Sequence, residues 1–186
     1  MNKKFIKDYQ QFSGNEYSVV GAFLRILKNP ELKYIFYGRI TEYSNSKLIK
    51  LIFAWKMRKL TNKSGNEIDF SKGKIGGGLS LVHPFCITVN PNAQLGENVV
   101  LFKGCTIGSV RSGKRAGVPI IGNRVVVGCN SMICGGVKIG NDVLIAANSF
   151  VDTDIPSDSL VIGNPCRIIP KENASKDYIV DIGDEI

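Results

Sequence analysis

Histidine is nearly absent: His83 is the only one in 186 residues. That scarcity excludes a metal site built on several imidazoles. It also means that a histidine general base working near neutral pH is His83 or does not exist. Cysteine is present but unpatterned. Cys86, Cys105, Cys129, Cys134 and Cys166 are odd in number and contain no C-x-x-C pair, which argues against a disulfide framework and against a zinc site. Reduced thiols in a cytoplasm are expected instead. No run of about 18 apolar residues occurs, so no helix is expected to span a bilayer. The basic start (Met1, Asn2, Lys3, Lys4) is followed by no apolar core of a secretory signal. Lysine and arginine are not interleaved with aromatics in the carboxy-terminal two-thirds, so nucleic acid is not an expected partner.

What the chain does have is glycine (20 residues) and a net charge of +8. The charge favours anionic ligands or surfaces, and the glycines suggest tight turns at regular places. Residues 16–63 read as helices. Tyr17, Val20, Ala22, Phe23, Ile26 and Leu27 fall at helical spacing before Asn29-Pro30 breaks the pattern, a second helix is expected over 31–43, and a third over 47–60. The third is apolar on one side and basic on the other. It suits packing on a neighbouring helix or subunit, or contact with a membrane surface through Lys47, Lys50, Lys56, Arg58 and Lys59. Residues 61–66 read as a polar linker.

From about residue 75 the grammar changes. Aliphatic residues followed by small ones recur every six positions at Ile121-Gly122, Val127-Gly128, Ile133-Cys134, Ile139-Gly140 and Ile145-Ala146, with Val151 in phase. Neither a helix (period 3.6) nor an amphipathic strand (period 2) produces this. A period of six is triangular: each hexapeptide supplies a strand and a turn, and three make one coil. The aliphatic points into a prism and the small residue sits at the corner. Such coils must stack, because one cannot bury its own apolar face. The expected fold is therefore mainly β, a parallel β-helix of hexapeptide repeats (67–172) behind an N-terminal helical segment (1–66) and before an acidic tail (173–186).

Two slips interrupt the period. Earlier repeats start at Ile75 and Leu81, the next at Val89, Leu95, Leu101 and Ile107. The step from 81 to 89 carries about two extra residues, and His83 lies inside it. A prism interior needs aliphatics, so a histidine where the coil bulges outward is a candidate general base. The second slip, between Ile107 and Ile121, is a loop rich in glycine and positive charge, whose Lys114 and Arg115 are candidate substrate-binding residues.

These motifs resemble the hexapeptide acyltransferases, most closely the serine acetyltransferase-like branch, and are especially similar to bacterial enzymes that O-acetylate capsular or exopolysaccharide sugars. The resemblance covers about 100 residues: IGGGLSLVHPFCITVNPNAQLG from Ile75 to Gly96, LFKGCTIG from Leu101, GGVKIG from Gly135, Asp154-Ile155-Pro156, and VIGNPCRII from Val161. It implies left-handed coils, a homotrimer or a dimer of trimers, and acetyl-CoA as cosubstrate, with no metal. His83 takes the place of the catalytic base, and Asp69, one residue out of register, that of an aspartate that orients it. Cys129, Gly136, Ala147, Arg167 and Lys171 take the positions that line the coenzyme A groove between subunits, with Arg167 and Lys171 facing the phosphates.

Two departures bear on the acceptor. Serine acetyltransferases carry an Asp just before the catalytic His, where this chain has Val82. Their extended loop carries Arg-His-Pro, where this chain reads Ala116-Gly117-Val118-Pro119. A site that has lost the partners of serine's amine and carboxylate points to another acceptor. The expected activity is therefore O-acetylation of a sugar hydroxyl in a capsular or exopolysaccharide, an enzyme of the cytoplasm or the inner membrane face. Serine O-acetylation is the alternative, favoured by the acidic end 181–186 with its terminal Ile. A non-catalytic trimeric scaffold is the third.

Overall fold

A computed structural model describes residues 2–14 and 16–180. Four helices come first: α1 (Lys3–Ser13), α2 (Val19–Lys28), α3 (Pro30–Tyr43) and α4 (Lys47–Ser64). Local chemistry sets their ends. The side chains of Asn2, Ser18 and Ser46 accept first-turn N–H bonds, and Pro30 opens α3 at a position where its missing N–H is not needed. Gly14 and Gly65 close α1 and α4 in the left-handed conformation. Helix α4 thus runs through Ser64, and most of the expected linker 61–66 is its last turn.

Fourteen short strands follow: β1 (Glu67–Ile68), β2 (Ser80–Val82), β3 (Thr88–Val89), β4 (Gln94–Leu95), β5 (Val100–Phe102), β6 (Thr106–Gly108), β7 (Ile120–Ile121), β8 (Val125–Val127), β9 (Met132–Cys134), β10 (Lys138–Ile139), β11 (Val143–Ile145), β12 (Phe150–Val151), β13 (Ser159–Ile162) and β14 (Arg167–Pro170). They make a β-helix with three parallel faces. Face A stacks β1, β3, β6, β9 and β12. Face B stacks β4, β7 and β10. Face C stacks β2, β5, β8, β11 and β13, with β14 added antiparallel at its end.

Each face buries a ladder of five aliphatics. Ile68, Val89, Ile107, Ile133 and Val151 line face A. Ile75, Leu95, Ile121, Ile139 and Ile155 line face B. Leu81, Leu101, Val127, Ile145 and Val161 line face C, and no rung is more than 5% exposed. All twelve repeat starts named from the sequence are rungs. The corner rule holds where face B turns into face C: a Cβ on Gly76, Gly96, Gly122 or Gly140 would overlap atoms of the next coil.

The helices are fixed to the first coil by a buried ionic cluster. Arg39 donates to Asp8 (2.8 and 3.1 Å), to Glu42 (2.8 Å) and to the carbonyls of Ile75 and Gly76, while Asp8 accepts from Leu79 N. Helix α4 packs on α3 but has no buried side chain. The expected acidic tail divides. Residues 181–186 lie outside the described residues. The segment before them folds back on the prism instead of standing in solvent: Ala174, Ser175 and Ile179 are buried, and Ile179 covers Val100 and Val126 on the outside of face C.

Candidate active site

The register of the coils identifies the inserted residues. Seven steps separate Leu81 from Thr88, whereas five separate the paired Leu101 from Thr106 and Val127 from Met132. Counting back from Thr88, Cys86 falls opposite Gly104, both with positive φ (53° and 72°). The extra pair is therefore His83-Pro84. It pushes the corner between faces C and A outward and leaves His83 exposed. His83 itself has φ +48°, a left-handed backbone that strains a non-glycine residue by roughly 1–3 kcal/mol and persists only where its surroundings enforce it.

Those surroundings come from the end of α4. Cys86 N donates to Ser64 O (2.8 Å), and Gly104 N from the next coil donates to Phe85 O (2.8 Å). Asn66 matters most: its amide donates to Pro84 O (3.1 Å) and its oxygen accepts from Ile87 N (3.0 Å). With 2% of its surface exposed, Asn66 clips both sides of the bulge to the helical segment. Its place just after a polar helix end made it read as linker, and only a contact about twenty residues along the chain reveals its role.

The structure sorts the other candidates by corner. Cys129 and Ala147 stack at the His83 corner, two and three coils further on, joined by Asn148 N donating to Cys129 O (2.9 Å). Arg167, on β14 beyond the last coil, pairs with Ile162, so it stands at the same corner five strand spacings from His83. At ~4.8 Å per strand spacing this column spans about 24 Å. Lys171 lies elsewhere. It follows the far end of β14, and its N–H donates to Asp158 O (2.7 Å) at the corner between faces B and C. Gly136 is also elsewhere: at the corner between faces A and B its N–H donates to Arg115 O (2.9 Å), and a Cβ would meet Ala116 O at 2.9 Å. It is glycine here because the loop lies on it.

That loop is eight residues longer than the matching turn, since thirteen steps separate Ile107 from Ile120 and five separate Ile133 from Lys138. It folds as a small hairpin closed by Val110 and Gly117. Lys114 and Arg115 are exposed on it, and Arg115 Nε lies 4.0 Å from Asp152. Asp69 is at the same A–B corner, where it accepts from Ser71 N (2.8 Å). Within one chain Asp69 and His83 occupy different corners, so Asp69 does not orient His83 there. The spacing was nearly right, but the corner decides. Asp69 shares with Gly108, at the root of the loop, an open groove of about 680 Å³ between α4 and face A.

Three of the thiols are poor nucleophiles. Burial pushes Cys105 up to about 12, and burial with nearby Asp152 raises Cys134 and Cys166. Among the described residues no group of three or more His, Cys, Asp or Glu side chains could hold a metal ion.

Residues 119–153 match the family described as bacterial transferase hexapeptide (six repeats). The chain has the hexapeptide-repeat transferase fold. Within that fold it is similar to serine acetyltransferases. It is 34% identical to that of Helicobacter pylori over 99 residues, 53% of this chain and 58% of that protein. The crystal structure of Neisseria gonorrhoeae serine acetyltransferase (CysE) superposes with a TM-score of 0.72 at 25% identity, covering 98% of this chain and 70% of that one. Serine acetyltransferase from Brucella abortus in complex with coenzyme A superposes with a TM-score of 0.65 at 22% identity, over 91% and 66% of the two chains. The chain spans about half the length of the curated relatives it matches. These likenesses overturn the expected capsular or exopolysaccharide acceptor. That expectation weighed two local departures, Val82 and the loop sequence, above a similarity that covers 53% of the chain in sequence and 98% in structure.

Proposed function

We propose that this protein is an acyl-CoA-dependent O-acetyltransferase that moves acetyl from acetyl-CoA to the hydroxyl of serine, with His83 as general base. The observation that carries it is the two-residue insertion of His83-Pro84, which puts an exposed imidazole at the head of the column formed by Cys129, Ala147 and Arg167. In this reading His83 removes the hydroxyl proton as the serine oxygen attacks the thioester carbonyl. The carbon–sulfur bond then breaks, and the imidazolium returns the proton to the departing thiolate of coenzyme A. A thioester is already activated, so no enzyme nucleophile is needed. Small side chains at 129 and 147 leave a track for the pantetheine arm, and Arg167 supplies a cation for a phosphate at its far end.

Hexapeptide-repeat folds typically form trimers, and the corner arrangement favours a homotrimer here. His83 and the cationic loop stand at different corners of one prism, so a site that uses both takes them from two copies. The loop's Lys114 and Arg115 would then meet serine's carboxylate. Asp69, beside the loop's root, would meet its amine in place of the aspartate that Val82 replaces. The test is serine-dependent release of coenzyme A thiol. Transfer should require serine and fall by about 10²- to 10⁴-fold in His83→Ala with coenzyme A binding retained. Thiol release indifferent to serine would reject the acceptor, and undiminished transfer in His83→Ala would reject the base.

A further inference from the structure

Helix α4 turns its most apolar stripe outward. Leu48, Leu51, Ile52 and Trp55 follow the i, i+3, i+4, i+7 pattern of one helix face, yet they are 67%, 69%, 43% and 55% exposed. Its inner side, through Phe53, Met57 and Leu60, is the one turned toward the fold. Helix α2 does the same: Val19, Val20, Phe23, Leu24 and Leu27 are all more than half exposed. Scattered surface apolar residues are normal, but contiguous stripes on two helices that both pack on α3 mark an interaction surface.

We propose that α4, assisted by α2, docks this protein on an anionic membrane surface. Charge decides the occupant. Helix α4 carries Lys47, Lys50, Lys56, Arg58, Lys59 and Lys63, α2 adds Arg25 and Lys28, and neither helix contains an acidic residue. A second copy would bring the same sign of charge against itself, whereas anionic head groups neutralise it. The order along α4 fits an interfacial helix. The apolar stripe fills its first three turns, and the same face continues as Arg58 and Lys59. Lys59 Nζ lies 3.7 Å over the Trp55 ring, placing an ammonium beside an aromatic side chain of the kind that settles at the head-group boundary. Among the described residues no helix is long and apolar enough to cross a membrane, so the helix lies on the surface. This inference is independent of the acceptor and holds whichever hydroxyl is acetylated.

Trp55 is the only tryptophan in the chain, so its emission reports the contact directly. The full-length protein is mixed with vesicles of phosphatidylcholine alone and of phosphatidylcholine with phosphatidylglycerol. The expected result is a blue shift, protection from iodide quenching and co-sedimentation with the anionic vesicles only, weakened by high salt. Leu51→Glu removes no packing, since Leu51 is largely exposed. It should lower anionic-vesicle binding by about tenfold or more while acetyl-CoA turnover is unchanged. Unshifted emission with anionic vesicles would overturn the proposal, as would equal binding to neutral ones. A blue shift that grows with protein concentration without lipid, with a doubled mass in sedimentation equilibrium, would assign the stripe to a second copy instead.

Discussion

The two ends of this molecule are held together by opposite means. The prism is redundant: fifteen aliphatic rungs on three faces repeat one contact, and none is more than 5% exposed. The helical segment joins the same apolar core through Phe5, Leu32 and Ile35, but adds a buried ionic cluster in which Arg39 and Asp8 are 2% and 0% exposed and tie α1 and α3 to the first coil. A repeated apolar contact loses little when one copy is trimmed. A buried charge that loses its partner has no substitute. His83 lies at the seam, on a coil of the first kind braced by a helix end belonging to the second.

The largest test of this contrast removes the cluster's centre. Arg39→Leu leaves Asp8 buried without its counter-charge and should destabilise by about 3–5 kcal/mol, read as a fall in the urea midpoint. Next comes the seam. Asn66→Ala strips Pro84 O and the buried Ile87 N of their partner, at about 1–3 kcal/mol. Because Asn66 holds the bulge and not the coenzyme A column, kcat should fall while KM for acetyl-CoA stays. A rise in that KM with kcat unchanged would show that the bulge does not depend on the clip. Smaller again is Ile133→Val in the interior of the face A ladder, about 0.5–1.5 kcal/mol. If it matched Arg39→Leu, the contrast would be wrong.

The same contrast explains what could be read from the sequence. The prism was legible because its contacts repeat locally, and twelve of fifteen rungs follow from the period. Ile68 and Ile155 escape because the step is seven residues before Ile75 and four after Val151, and Val161 then falls out of phase. The bulge was legible as a slip, and the register alone was needed to name His83-Pro84. The helical end was legible only in part. Helix α1 carries Phe5, Tyr9 and Phe12 among polar residues, and its anchor, Asp8 to Arg39, spans 31 positions. Asn66 and Asp69 show the limit from both sides. One looked like linker and braces the site, while the other had nearly the right spacing and stands at another corner.

The smallest expected effect sets two carboxylates against each other. Burial pushes the Asp8 carboxyl above its ordinary value of 3.8, against the pull of Arg39 and the N–H of Leu79. For Asp142 burial also pushes upward. The hydroxyl and N–H of Ser175, the Arg124 charge and the N–H of Ala174 outweigh it and hold the carboxyl below 3.8. The signs are therefore opposite. A raised carboxyl contributes stability that is present below its unfolded pKa and lost as pH rises through the folded one. A depressed carboxyl contributes stability that is present above its unfolded pKa and lost as pH falls through the folded one. What Asp142 holds is the returning segment: it accepts from Ala174 N and Ser175 N, each at 3.1 Å, and from the Ser175 hydroxyl. Beyond them the Gln11 carboxamide pairs with both backbone groups of Val180, so this segment bridges prism and helices. Hydrogen exchange at Ala174 and Ser175 should accelerate relative to the prism amides as pH falls below 3.8. Asp142→Ala should show that loss of protection already at neutral pH, with little change on acidification. Protection at those two amides that is insensitive to both changes would mean that burial of Ile179, not Asp142, holds the segment down.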